Sequence, residues 1–248
     1  MATVRVVFAG PSGRTGRATG AALDLLPDLE IVGGVAPSAA GRDLGALWHG
    51  RPDGRSVYGD VQAALAELRP DVLVDFTVAH AAEGSLKTAL LAGVRPVIGT
   101  TGLGDAALRE AEALSKQFGL SAAVIANFSV VSALLTEFAL RAAPHFDGVE
   151  LIEMHGPHKL DKPSGTARRL QARLRAEGQD EVPVHSVRLE GFVAHQEVLL
   201  GRTGETLSLR HDALDRSCYA AGVRLVALGI MERQGLFRDL APFLDMLG

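Results

Sequence analysis

Apolar positions cluster into short runs in the first part of this chain and alternate with polar ones further on, and the change of texture divides it. Apart from Arg5, Val4–Ala9 is apolar and rich in β-branched residues, as in a strand buried on both faces. Leu29–Gly33, Val72–Phe76, Val94–Ile98 and Ala122–Ile125 repeat that texture and predict four more strands. Between them, helices are predicted from the glycine-rich turn after Ala9 to about Leu26, then over Val61–Leu68, Ala79–Ala92 and Asp105–Phe118. Such alternation implies a Rossmann-type doubly wound parallel sheet with helices on its faces.

After about Ala143 the order is different. A strand over Val149–Glu153 leads into a His/Lys loop and an Arg-rich helix over Ala167–Arg175. Three further strands are predicted at His185–Leu189, Val193–Leu200 and Glu205–His211. In the last, Leu207 and Leu209 alternate with Thr206, Ser208 and Arg210, as on a sheet with two unlike faces. This half therefore reads as an α+β domain with a mostly antiparallel sheet. The apolar tail Ser217–Glu232 reads as a helix that returns to the first domain. The expected division is 1–126 with 217–248 as a dinucleotide-binding domain, and 127–216 as a substrate-binding and oligomerisation domain.

Composition narrows the class. With 47% hydrophobic and 22% charged residues, the chain is ordinary for a soluble globular protein. A net charge of −4 lacks the basic stripe that nucleic acid requires. Its single cysteine, Cys218, allows no internal disulfide and fits a reducing compartment. The apolar opening Met1–Ala9 is too short for a membrane span and lacks signal-peptide features. A cytoplasmic protein without membrane or nucleic-acid partners is expected.

Candidate chemistry lies in two places. Gly10-x-x-Gly13-x-x-Gly16 joins the first strand to the first helix, where a dinucleotide fingerprint belongs. No acid follows at the ribose position, because Gly33–Arg42 contains none and Asp43 comes next. Ser38, Arg14, Arg17 and Arg42 could instead meet a 2′-phosphate, so NADPH, or both NADPH and NADH, is expected. Asp75-Phe76-Thr77, Gly99-Thr100-Thr101-Gly102 and Asn127-Phe128-Ser129 each follow a strand, at the edge where such sheets bind ligands. The second place is Glu153-Met-His155-Gly-Pro-His158-Lys159, with three proton carriers, then Pro163-Ser164-Gly165-Thr166 before the Arg-rich helix. That helix start reads as a carboxylate site. No metal is expected, since no cysteine accompanies the histidines and Lys159 would repel a cation.

With these motifs in view, the chain resembles the dihydrodipicolinate reductase (4-hydroxy-tetrahydrodipicolinate reductase) family over essentially its whole length. The resemblance is carried by Gly13-Arg-Thr-Gly-Arg17, Val74-Asp-Phe-Thr77, Ile98-Gly-Thr-Thr-Gly102, Ala126-Asn-Phe-Ser129 and, above all, Glu153-x-His155-x-x-x-Lys159-x-Asp161-x-Pro163-Ser-Gly-Thr-Ala167. Val187–Glu197 and Arg210–Arg216 add to it. It implies reduction of a cyclic imine-type dicarboxylate by NAD(P)H in lysine and diaminopimelate biosynthesis, by a homotetramer. His155 would be proton donor or acceptor and Lys159 a donor. Ser164, Gly165 and Thr166 would bind a substrate carboxylate. Gly10, Pro11, Ser12, Gly13, Arg14, Thr15, Phe76, Gly99, Thr100, Thr101, Ile125, Ala126, Asn127 and Phe128 would contact the cofactor.

The chain departs from the family at Gly156, where many members carry a second substrate-contacting histidine; His158 would reach the substrate instead. It departs again at Val131-Ser-Ala133, where the family has Gly-Val-Asn. Two other readings compete. Another NAD(P)-dependent oxidoreductase of this two-domain plan, such as an amino-acid dehydrogenase, leaves Lys159 and the Pro-Ser-Gly-Thr run unexplained. A catalytically silent nucleotide-binding regulatory paralogue would not need His155 and Lys159.

Overall fold

The computed structural model describes residues 3–247; Met1 and Ala2, at the head of the opening apolar run, lie outside the described residues. The described chain forms two units, Ser129–Asp215 and the remainder. The first unit is built on β1 (Val4–Ala9), β2 (Leu29–Val35), β3 (Val57–Tyr58), β4 (Val72–Asp75), β5 (Arg95–Ile98), β6 (Ser121–Val124) and β11 (Gly235–Phe237). These form one parallel sheet in the order β11-β6-β5-β4-β1-β2-β3. The order reverses between β1 and β4, which is where a doubly wound sheet opens its ligand crevice.

Its helices are α1 (Arg14–Leu23), α2 (Leu44–His49), α3 (Val61–Leu68), α4 (Ala79–Leu91), α5 (Asp105–Phe118) and α8 (Tyr219–Gly229). Val7, Leu73, Leu65 and Ala89 pack into one core cluster; Ile98, Leu86, Leu90 and Leu108 form another. Asp43 and Asp60 cap α2 and α3 by accepting from the N–H groups of Ala46 and Ala63. α1 ends at Leu23, three residues short of the extent expected from sequence. Pro27 disfavours helical backbone at Leu26, and the chain turns out through Leu25 and Leu26. The tail belongs to this unit: Arg224 of α8 donates to Asp28 at 2.9 Å, and Thr19 Oγ1 donates to the Arg216 carbonyl at 3.1 Å. Among the described residues no helix is long and apolar enough to cross a membrane.

The second unit contains α6 (Val130–Ala142), β7 (Gly148–His155), α7 (Gly165–Ala176), β8 (Val184–Arg188), β9 (Ala194–Arg202) and β10 (Glu205–Ala213). Its sheet runs β10-β9-β7-β8, antiparallel except for the parallel pair β7–β8, whose crossover is α7. Leu135, Val149, Leu151, Leu170, Leu174, Val198 and Leu200 form its core. β7 alternates with period two, so Glu153 and His155 stand on the same face as Val149 and Leu151. A carboxylate and an imidazole therefore enter where the pattern has placed aliphatic side chains. That exception marks the site.

Candidate functional site

In the first unit the glycine-rich turn is shaped by close backbone approach. Gly10 has φ of +85°, and a Cβ there would lie 2.7 Å from the Phe76 carbonyl oxygen. A Cβ on Gly16 would lie 2.0 Å from the Gly10 carbonyl oxygen. Gly13 is different: it is the N-cap of α1, has room for a Cβ, and supplies no side-chain cap. The first N–H groups of α1 therefore keep no side-chain acceptor, the arrangement that suits a phosphate.

Beside this turn lies a cleft of about 440 Å³ lined by Thr15, Phe76, Gly99, Thr100, Thr101, Ala126, Asn127 and Phe128. Thr77, Val78, Ala79 and Tyr219 complete it. Of the expected cofactor residues, Gly10, Pro11, Ser12, Gly13, Arg14 and Ile125 are not part of that lining. Ser12 and Arg14 are exposed on the turn, and Ile125 is buried with its N–H on the Ile98 carbonyl at 2.9 Å. Asp75, at the end of β4, is fully buried and orders the cleft wall. Its Oδ1 accepts from the Thr77 N–H at 2.8 Å, the Thr77 hydroxyl at 2.6 Å and the Thr100 hydroxyl at 3.2 Å, while Oδ2 has no partner. Tyr219, which its apolar surroundings hid in the sequence, stands at the first position of α8, and burial pushes its phenol up.

Trp48 supports the turn from within the unit. Its indole N–H donates to the Pro11 carbonyl at 3.1 Å, and its ring packs edge-on against Phe8 at 5.4 Å. Trp48→Phe is expected to lose ~1–2 kcal/mol in urea unfolding, because it leaves a buried carbonyl unpaired. Calorimetric titration should also show weaker nucleotide binding. An unchanged midpoint and affinity would mean that the indole only fills space.

In the second unit, β-register aligns four polar side chains across the sheet: Ser186 opposite Glu153, Glu153 opposite Gln196, and Gln196 opposite His211. Glu153 is 1% exposed. Its Oε2 meets His155 Nδ1 at 2.5 Å, and its Oε1 accepts from Arg188 Nη2 at 2.7 Å. Burial works to raise the Glu153 carboxyl, but hydrogen bonds from Arg188, Ser186 and His155 outweigh it and hold the group below the usual carboxylate range. Burial lowers the His155 imidazole; Lys159 and Arg188 add to that, and together they overcome the opposing pull of Glu153.

Gly156-Pro157-His158-Lys159 is a tight turn closed by the Lys159 N–H on the Gly156 carbonyl at 3.2 Å, with proline where such turns favour it. His158 sits exposed at the corner. Lys159 Nζ lies 2.8 Å from Asp161 Oδ1, and the Asp161 carboxyl also accepts from the Gly165 backbone. The lysine first, and then the N–H groups of Asp161 itself and of Gly165, hold that carboxyl below its ordinary range. Lys159, Asp161 and the start of α7 are thus tied together. Ser164 is buried and its hydroxyl accepts from the Ala167 N–H at 3.2 Å, capping α7; Gly165 and Thr166 stand half-buried in the first turn. Among the described residues no cluster of three or more His, Cys, Asp or Glu could hold a metal ion.

Both units match known proteins. The family model described as dihydrodipicolinate reductase, N-terminus, matches residues 4–128, and its C-terminus counterpart matches residues 130–244. The 4-hydroxy-tetrahydrodipicolinate reductase of Symbiobacterium thermophilum is 42% identical over 247 residues, covering 97% of each chain. A dipicolinate-bound dihydrodipicolinate reductase from Paenisporosarcina sp. TG-14 superposes with a TM-score of 0.82 at 30% identity, covering 97% of this chain and 99% of that one. An amine dehydrogenase from Mycobacterium smegmatis shares the fold, with a TM-score of 0.71 at 15% identity over 96% and 95% of the two chains. Residue motifs, two-unit architecture and full-length similarity agree: this chain belongs to the dihydrodipicolinate reductase family.

Proposed function

We propose that the chain reduces 4-hydroxy-tetrahydrodipicolinate to tetrahydrodipicolinate with NAD(P)H, the 4-hydroxyl leaving as water, a step of lysine and diaminopimelate biosynthesis, as a cytoplasmic homotetramer. The observation that carries this is the polar cluster of the second unit. His155 is oriented by a buried carboxylate, and Lys159 is tied through Asp161 to the start of α7. No other reading uses all of these groups together.

Reduction of a conjugated cyclic imine leaves negative charge on the ring, which a cation and a proton donor stabilise. Lys159 is that cation and the proton donor. His155 has Nδ1 on Glu153, so Nε2 faces the reacting ring as proton donor or acceptor. Gly165 and Thr166 bind one substrate carboxylate at the N-terminus of α7, and Ser164 sets that terminus by capping it. His158, at the turn corner, reaches the substrate in place of the histidine the family has at Gly156.

The first unit fits a nicotinamide nucleotide. The uncapped start of α1 at Gly13 suits its pyrophosphate, reached from Gly10, Pro11, Ser12, Arg14 and Thr15. The cleft offers Thr100, Thr101 and Asn127 as polar contacts and Phe76, Gly99, Ala126 and Phe128 as apolar or backbone ones, while Ile125 is buried outside that lining. When bound, the reduced nicotinamide supplies the hydride. The homotetramer and its assembly through the second sheet are supported by the family resemblance and by the two faces of β10. Leu207 and Leu209 pack on the core, while Ser208 and Arg210 point the other way.

NADPH is the preferred cofactor. The first acid after β2, Asp43, is occupied: its carboxylate caps α2 and accepts from the N–H groups of Asp53 and Gly54. It has no oxygen to spare for a ribose. Ser38 and Arg42 are exposed beyond the strand end. Charge-assisted hydrogen bonds are worth ~1.5–3 kcal/mol, so kcat/KM with NADPH should exceed that with NADH by about tenfold or more. Ser38→Asp should erase that margin, and a strong NADH preference in the parent enzyme would refute it. The activity itself is tested by mixing the product of the preceding synthase with NADPH and following the absorbance of the reduced nicotinamide. No consumption with either cofactor would end the reductase reading.

A further inference from the structure

We propose that Arg188 and Glu153 form a positioning pair for the reductase site, one guanidinium holding both the carboxylate that orients His155 and the loop that carries Lys159. This rests on the roles proposed above for His155 and Lys159. The Arg188 side chain is 5% exposed and every bond it makes is local to the site. Nη2 donates to Glu153 Oε1 at 2.7 Å and to the Asp161 carbonyl at 2.6 Å. Nε donates to the Lys159 carbonyl at 3.1 Å, and Nη1 to the Val187 carbonyl at 2.7 Å. Parallel pairing of β7 and β8 sets His155 opposite Arg188, so the guanidinium comes from the strand beside the histidine.

Each bond answers a physical need. A carboxylate as buried as Glu153 persists in its charged form only with a hydrogen-bonded partner, which Arg188 supplies. Charged Glu153 then accepts a hydrogen bond from the Nδ1–H of His155 and leaves Nε2 for the substrate. The same guanidinium fixes the carbonyls of Lys159 and Asp161, and so the backbone that carries the lysine. The charged groups acting on His155 are Glu153 from its own strand, Arg188 from β8 and Lys159 from the loop. Across the sheet, β9 presents only Ala194.

Glu153→Gln keeps the shape and removes the charge. It should lower kcat by about ten- to a hundredfold while leaving the KM for the dicarboxylate and the affinity for NADPH unchanged. The limb of the kcat–pH profile due to His155 should move to lower pH, since the anion favouring imidazolium is gone. A purely structural ion pair would lower the melting temperature without moving that limb. Because a lone buried charge can prevent folding, the Glu153→Gln/Arg188→Gln double variant provides a neutral pair with the same expected loss. In Arg188→Ala, added methylguanidinium should restore part of kcat. A folded Glu153→Gln enzyme with parental kcat and an unmoved limb overturns the pair. Parental turnover in His155→Ala would instead overturn the site reading on which it rests.

Discussion

Lys159→Ala is expected to lower kcat by about two to four orders of magnitude, the usual worth of a positioned proton donor, while NADPH affinity stays as it was. The substitution is a clean one here. The loop is held through the Lys159 carbonyl, which accepts from Arg188 at 3.1 Å, so removing the side chain leaves the backbone anchored. Asp161 loses its 2.8 Å ion pair but keeps the Gly165 N–H at the start of α7. The lysine side chain is about one-third exposed, so its loss leaves no large cavity. The expected signature is therefore a fall in kcat without a matching fall in melting temperature. Single-turnover measurements would separate the reduction step from product release. If Lys159→Ala and His155→Ala both turn over as the parent does, neither residue moves a proton in the reaction.

Gly16→Ala is expected to cost ~3 kcal/mol or more of stability, the upper range for inserting a methyl group where none fits. The added Cβ would lie 2.0 Å from the Gly10 carbonyl oxygen and 2.9 Å from its carbon, and neither atom belongs to a side chain that could turn away. The chain must open the turn or withdraw α1, and either movement would spoil the turn's proposed role in holding a phosphate. Gly13→Ala is the control. Its Cβ meets nothing nearer than the Gly10 carbonyl oxygen at 3.6 Å, so folding should be unaffected. Any loss there would appear only in nucleotide affinity. Urea unfolding and calorimetric titration of both variants separate the two effects. Equal stability for Gly16→Ala and the parent would mean that the turn is looser than described.

The first unit was readable where apolar runs were long and their partners near. Val61–Leu68 and Asp105–Phe118 match the observed helices at both ends. Elements that owe their order to distant neighbours were not foreseen. β3 is two residues long and exists because β2 pairs with it; β11 is three residues long and exists because β6 does. α2 spans only six residues, yet it delivers Trp48 to the glycine-rich turn. α6 lacks a clear polar face, with Val131 and Phe138 more than half exposed, so its period is weak. At the site, the signature around His155 and Lys159 stood out because its residues are consecutive. Arg188 did not, since it lies 35 positions beyond Glu153 and only the β7–β8 register brings it in. Tyr219 was concealed for the same reason, inside a tail that reads as plain apolar helix.

The division of the first unit between the two ends of the chain bears on how the molecule is made. Ribosomes deliver β1 through β6 early, then all of Ser129–Asp215, and only afterwards the α8 and β11 that complete the parallel layer. Until then the outer edge of β6 stands bare, with Ala122 and Ala123 awaiting Leu236 and Phe237. An unpaired edge of that kind invites neighbouring nascent chains to pair with it. The inserted unit, whose strands and helices are contiguous in sequence, can finish its own folding while the enclosing one waits.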